Sequence, residues 1–332
     1  MTQLDLLDGL MKNRLTPTPR LERDIFSGAY WGLRKGQKEP QHNRDVDMGC
    51  DIILKGGDFG IAQVWDREVL IYLHTLFIQV YERTGEYPRA LEFKMHDMLT
   101  FLERPTTGAA YLEAEGSFKR LAHGSITTIF DEIKDMSGTA FNMRSGTSWI
   151  ESYQIILAKT ARGVEAGYVR VVLSELVYNS FSQIENAAYV SKDLIRVSGG
   201  VEKQLFAVIA RHFHPTFAVR CFPIDELQQR VGSSSSKKNW LAALRKIVNR
   251  DPFPDWMLEL SDTRPPEMAG NIAPYEGRGK ILYLNVRRKG EELARLKRGL
   301  KAMGDHITAE EKDKSEKQER ATMLRQQTKR LV

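Results

Sequence analysis

Two stretches of this sequence, about 130 residues apart, run through the same order of elements. The first opens with an apolar helix pattern, WDREVLIYLHTLFIQVYERTG. It continues with a short strand pattern, LEFKM, a short helix, HDMLTFL, a turn, RPTTG, and a second helix, AAYLEAEGSFKRLAHG. The second opens with VEKQLFAVIARHF and continues with TFAVRCF, PIDELQQRV, a serine-rich turn and KKNWLAALRKIVNR. Asp97-Met98-Leu99 corresponds to Asp225-Glu226-Leu227, and Phe118-Lys119-Arg120-Leu121 to Leu244-Arg245-Lys246-Ile247. Strand patterns close each stretch: SITTIFDEI, SWIESYQIIL and GYVRVVL in the first, DWMLEL and KILYLNVRRK in the second. A repeat of this length is too large for a solenoid unit and matches a duplicated domain. Asp66 stands where a helix N-cap is expected, and Gly85 and Gly124 stand where glycine ends helices.

A short helix, a turn and a second helix form a helix-turn-helix, and a hairpin packed after it makes the winged version. The expected fold is therefore α+β, with two tandem winged-helix (winged helix-turn-helix) domains at residues 59–183 and 184–288. Residues 1–58 hold Thr-Pro-Thr-Pro, several glycines and mixed charges, with only the IIL at 52–54 strand-like, which predicts an irregular N-terminal arm. Residues 289–332 are rich in charge and predict a charged tail, partly helical around EELARLKRGLKAM.

Several function classes are argued against. The 332-residue chain is 42% hydrophobic and 28% charged, as globular proteins are. No apolar run approaches the roughly 18 residues that a membrane span needs, so no membrane partner is expected. The opening MTQLDLLDGLMKNRL places acids before bases and lacks the apolar core of a secretory signal, which predicts a cytoplasmic protein. Cys50 and Cys221 are too few for a disulfide framework or a four-thiolate zinc site, and neither metal nor cofactor is expected. GSSSSKK lacks the second glycine and the preceding strand of a phosphate-binding P-loop. His212-Phe213-His214 has the spacing of the metal site in tyrosine nicking initiators, with Tyr275 and Tyr283 as candidate nucleophiles. That chemistry needs a strand, where alternate residues share a face, and here the pair ends a helix. No catalytic residue is assigned, and the chain is read as a binding protein rather than an enzyme.

Charge distribution points to a polyanion. Forty-nine Lys and Arg against 43 Asp and Glu give a net charge of only +6, but from Ser233 to Arg250 there are five bases and no acid. In that segment Trp240, Leu241, Leu244, Ile247 and Val248 fall on one helical face. Lys238, Ala242, Arg245 and Asn249 line the opposite face, flanked by Lys237, Lys246 and Arg250. One serine of the turn is expected to cap the helix, while other hydroxyls and the free amides of its N-terminus face an anion. Candidate DNA contacts here are Ser234, Ser235, Ser236, Lys237, Lys238, Asn239, Arg245, Lys246, Asn249 and Arg250. The wing loop adds Arg264, Arg278 and Lys280. The first unit offers Arg104, Thr106, Thr107, Lys119 and Arg120, but Glu113 and Glu115 share its helix and predict a weaker electrostatic reader. A transcriptional repressor of winged-helix type carries the same electrostatic features and is the alternative function.

GIAQVWDREVLIYL, LEFKMHDML, GAAYLEAEGSFKRLAHGSITT and GSSSSKKNWLAALRKIV together resemble the plasmid replication initiator protein A family of bacteria. The likeness spans about residues 59 to 262, and its most specific piece is Trp65-Asp66 followed by Leu70-Ile71-Tyr72. The resemblance implies a non-enzymatic initiator that binds repeated sites in double-stranded plasmid origin DNA and helps open the adjacent duplex. It also implies recruitment of the host initiator and replicative helicase, and many such initiators repress their own promoter, often as homodimers.

Overall fold

The computed structural model describes residues 20–22, 27–134, 140–159, 165–183, 187–189, 193–212, 219–264 and 282–290. Near the N-terminus lie β1 (Arg20–Glu22), β2 (Gln41–Asp45) and β3 (Cys50–Lys55). The first unit continues with α1 (Arg67–Thr84), β4 (Ala90–Lys94), α2 (Met95–Phe101), α3 (Gly108–His123), β5 (Ser125–Lys134), β6 (Ala140–Thr147), β7 (Ile150–Lys159), β8 (Glu165–Leu173) and α4 (Glu175–Ser182). After β9 (Ala187–Tyr189) and the short α5 (Asp193–Arg196), the second unit holds α6 (Gly200–His212), β10 (Val219–Pro223), α7 (Ile224–Val231), α8 (Lys237–Arg250), β11 (Trp256–Ser261) and β12 (Tyr283–Arg288).

The two units share one topology. In the first, antiparallel strands lie in the order β4-β8-β7; in the second, β10-β12-β11. In both, the strand between the first two helices pairs with the last strand of the unit, and that strand pairs with the one before it. The apolar pattern of α1 covers most of its circumference, and Val69, Leu70, Ile71, Leu73 and Phe77 are all fully buried. Gly85 closes it in the left-handed region at φ 75°, its N–H bonded to Tyr81 O at 2.8 Å.

Three expectations change. The irregular arm is folded from residue 27 onward: β2 and β3 pair with each other, β3 pairs with β5, and Trp31 stacks on Trp149 at 4.2 Å. Cys50, Ile52 and Leu54 alternate into the core as a half-buried strand should. Next, SITTIFDEI does not join the sheet β4-β8-β7. As β5 it forms a hairpin with β6, which periodicity did not single out, and together they complete the sheet β2-β3-β5-β6. Last, Asp66 precedes α1 but makes no side-chain cap bond to it. Its Oδ2 accepts from Gln63 N at 2.9 Å, and its carboxylate accepts two bonds from Arg120, at 2.8 and 2.7 Å.

One buried apolar cluster runs from Ala29 to Val286 through both units. Polar groups cross the same joint. Arg67 donates to Gln204 Oε1 at 2.7 Å and to Lys203 O at 2.8 Å, and Gln204 donates to the carbonyls of Ser27 and Gly28. Lys203 Nζ lies 2.5 Å from Glu68, which also pairs with Arg104 at 2.8 Å. Burial pulls Arg67 down to about 10 against the opposing charge of Glu68, and it lowers Lys203 in the same way. At Gly200 a Cβ would overlap the carbonyl of Leu33, so glycine permits this close approach of α6 to the N-terminal segment.

Candidate nucleic-acid interface

α8 has the two faces that its spacing predicts. Trp240, Leu244 and Ile247 are buried, and the indole N–H of Trp240 donates to Ile224 O at 3.1 Å, fastening α8 to the start of α7. Lys238, Asn239, Ala242, Arg245, Lys246 and Asn249 are exposed. Among the described residues, Lys238, Arg245 and Lys246 have no acidic partner, so their full charge faces solvent. Lys237 is shared with Asp225 at 2.7 Å, and Arg250 pairs with Glu202 of α6.

The serine turn is an ordered element. Ser236 caps α8, its Oγ accepting from Asn239 N at 3.4 Å. Gln228 of α7 donates to Ser233 O at 3.1 Å and to Ser235 O at 2.7 Å, and the hydroxyls of Ser233 and Ser235 lie 2.9 Å apart. Gly232 enters the turn at φ 70°, in the left-handed region. Ser234 and Ser236 remain exposed beside the helix N-terminus, where unpaired amides and the helix dipole favour an anion.

The N-terminal segment props this turn from behind. Gln41 Nε2 donates to Gly232 O at 3.1 Å. Asp47, in the turn between β2 and β3, pairs with Arg230 of α7, with Arg211 at 3.4 Å and with His212 at 3.4 Å. Burial works to raise the Asp47 carboxyl, but the bonds from His212 and Arg230 outweigh it and hold the group well below the usual carboxylate range. Sequence reading missed this clasp because Asp47 and Arg230 stand far apart in the chain. Arg230 also pairs with Glu226 one helical turn away within α7. His212 is the described half of His212-Phe213-His214; Phe213, His214 and Tyr275 lie outside the described residues, and Tyr283 is buried on β12.

The remaining candidates divide. Arg264 stands over the ring of Tyr283 at 5.4 Å, whereas Arg278 and Lys280 lie outside the described residues. Thr106 and Thr107 are exposed at the start of α3. Arg104 and Arg120 are bound within the fold to Glu68 and Asp66, carboxylates that are themselves buried. Lys119 pairs with Glu115 at 2.7 Å and covers the ring of Phe59 at 5.4 Å. The DNA-facing charge expected on the first unit is thus largely neutralised internally.

The model of the family described as replication initiator protein A matches residues 25–258. The chain belongs to this family. A replication initiator role comes with that membership, and the match begins well ahead of residue 59, taking in the folded N-terminal segment. Comparison with the sequences of curated proteins finds no match. Among solved structures, a selenomethionine derivative of domains 2 and 3 of RctB is similar at a TM-score of 0.56 with 12% identity, covering 80% of this chain and 97% of that one. A second structure of RctB domains 2–3 has a TM-score of 0.51 and 10% identity, over 81% and 98% of the two chains. At such identity the likeness concerns the fold, which this initiator family member shares across both units. No described helix is long and apolar enough to cross a membrane.

Proposed function

We propose that the two units are tandem winged helices and that the chain initiates plasmid replication by sequence-specific binding to repeated sites in double-stranded origin DNA. α8 is the recognition helix. The observation that carries this reading is its acid-free outer face: Lys238, Arg245 and Lys246 open to solvent, on a helix whose N-terminus is presented by a capped, ordered serine turn. Hydroxyls and amides of the turn take phosphates and set register, and Arg245 and Asn249 reach base edges. The hairpin β11–β12 is the wing, with Arg264 at its base. Binding at repeats then promotes opening of the adjacent duplex and recruitment of host replication factors, functions that the family membership supports.

Footprinting the protein on the DNA flanking its own gene tests this. Protected repeats beside an AT-rich region are expected, and a plasmid whose sole origin is that fragment should persist only when the gene is intact. Protection confined to a promoter, with no such persistence, would replace the initiator reading by repression alone.

A further inference from the structure

The first unit contains an element without a counterpart among the described residues of the second. Between α3 and the wing-like hairpin it inserts β5 and β6, which pair through β5 with β3 and so build the sheet β2-β3-β5-β6. The inner face of this sheet carries Ile52, Leu54 and Ile126 into the core. Its outer face requires another explanation. By register, Arg44 lies opposite Asp51, Asp51 opposite Ile129 and Ile129 opposite Arg144, so one row crosses all four strands. The neighbouring row holds His42, Ile53 and Thr127. Arg44 shares Asp51 at 2.9 Å, while Arg144 is exposed without an acidic partner among the described residues. Lys55 continues the outer face at the end of β3 and is likewise exposed.

This face is continuous with the proposed DNA-reading turn. A groove of about 510 Å³ lies between them, with His42 and Arg44 on one wall and Gln228 and Ser234 on the other. Its walls are held in place by the Gln41 bond to Gly232 and by the Asp47–Arg230 pair. The groove adjoins the serine turn at the start of α8, and with Arg44 offset by Asp51 the exposed charges that a phosphate backbone would complement on this face are those of Arg144 and Lys55. Resting on the reading of α8 as the recognition helix, we propose that the outer face of β2-β3-β5-β6 grips the DNA backbone next to the segment that α8 reads. The N-terminal segment and the β5–β6 insertion then serve one purpose: they extend the contact of the second unit using strands folded with the first.

The test measures affinity against salt for two duplexes, one covering the whole footprint and one cut back to the segment under α8. Arg144→Ala is expected to flatten the log affinity against log salt slope by about 0.9 on the long duplex and to leave the short one unchanged. Arg144→Glu should lower affinity for the long duplex further, and hydroxyl-radical protection should be lost from the flanking backbone alone. Arg144 is exposed, so an unchanged unfolding midpoint is expected and ties any loss to contact. An unchanged slope on the long duplex, with Lys238→Ala still flattening it, would overturn the proposal and leave α8 as the reader. Self-association lost in Arg144→Glu with DNA affinity intact would overturn it by assigning the face to a second copy of the chain. A wild-type protein that protects no DNA would remove the reading of α8 as well.

Discussion

α3 and α8 occupy the same place in their two units, and their sequences align base for base: Lys119-Arg120 in one, Arg245-Lys246 in the other. Their surroundings reverse the use of those charges. Arg120 turns inward to a carboxylate that is 0% exposed, and Lys119 is neutralised one helical turn away by Glu115. Arg245 and Lys246 meet no acid among the described residues and face outward. On its outer side α3 instead presents Leu112, 71% exposed. Two units of one topology thus use aligned bases differently: in the first unit they bind the protein together, and in the second they face solvent. The sequence-level rule that bases without nearby acids make a polyanion site holds only where no buried acid elsewhere in the chain claims them.

The largest effect that this comparison predicts is on stability. Arg120→Ala leaves Asp66 buried and unpaired, and breaking a buried ion pair by removing one partner costs about 3 to 5 kcal/mol. Lys246→Ala, at the aligned position, should stay within about 0.5 kcal/mol because its charge is already in water. Urea unfolding measures both. Equal midpoints for the two variants would dissolve the distinction, as would a loss of DNA affinity in Arg120→Ala at unchanged stability.

What the sequence made legible follows from range. The element order, the shared topology of the two units, the two faces of α8 and the glycine stop of α1 are local patterns, set by helical and strand periods and by single-residue backbone preferences, whereas Gly124 ends α3 in extended backbone. The partners of Asp66, Glu68 and Asp47 are not local. Asp66 looked like a cap because position before an apolar helix is all that a sequence displays, whereas the bond that satisfies it comes from Arg120 in a different helix. β6 escaped notice because AFNMRSGT has weak alternation and owes its strand to pairing with β5. Residues 27–58 looked irregular for the same reason, since β3 is stabilised by β5 and by the stacking of Trp31 on Trp149 across the fold. The serine turn is an intermediate case: capping by Ser236 is local, but the turn is also held by Gln228, which makes two bonds to serine carbonyls.

The next effect in size concerns specificity. If Arg245 makes paired bonds to a guanine, Arg245→Ala should reduce discrimination between cognate repeat and random duplex by about 1 to 3 kcal/mol. The aligned Lys119→Ala should leave discrimination unchanged, because its ammonium is committed to Glu115 and the face of Phe59. Competition binding with both duplexes reads the difference. An equal loss on cognate and random DNA would make Arg245 a backbone contact.

Ser236 separates the structural from the electrostatic part of the α8 terminus. Ser236→Ala removes the cap and should cost about 1 kcal/mol of stability. Ser236→Asp keeps a cap acceptor, and adds to it a negative charge where a phosphate is to sit. Near wild-type stability with weakened DNA binding is expected for the aspartate. If Ser236→Asp binds DNA as tightly as wild type, no phosphate approaches the helix end.

The smallest effect distinguishes the paired lysines that open α8. Lys238→Ala should flatten the dependence of log affinity on log salt by about 0.9, the amount for one neutralised phosphate. Lys237 starts from a different condition, since Asp225 lies 2.7 Å from its ammonium and already offsets part of its charge. That pair is exposed and therefore weak, about 0 to 1 kcal/mol, so a phosphate competes with Asp225 for Lys237 without displacing it completely. Lys237→Ala should then flatten the slope by less than Lys238→Ala does. In an Asp225→Asn background the two substitutions should become equal, because the competitor is gone. This repeats within α8 the contrast between α3 and α8: a base counts toward the ligand to the extent that no carboxylate of the protein has already claimed it. Equal slopes for Lys237→Ala and Lys238→Ala in the native background would limit that principle to buried acids such as Asp66, and exempt exposed ones.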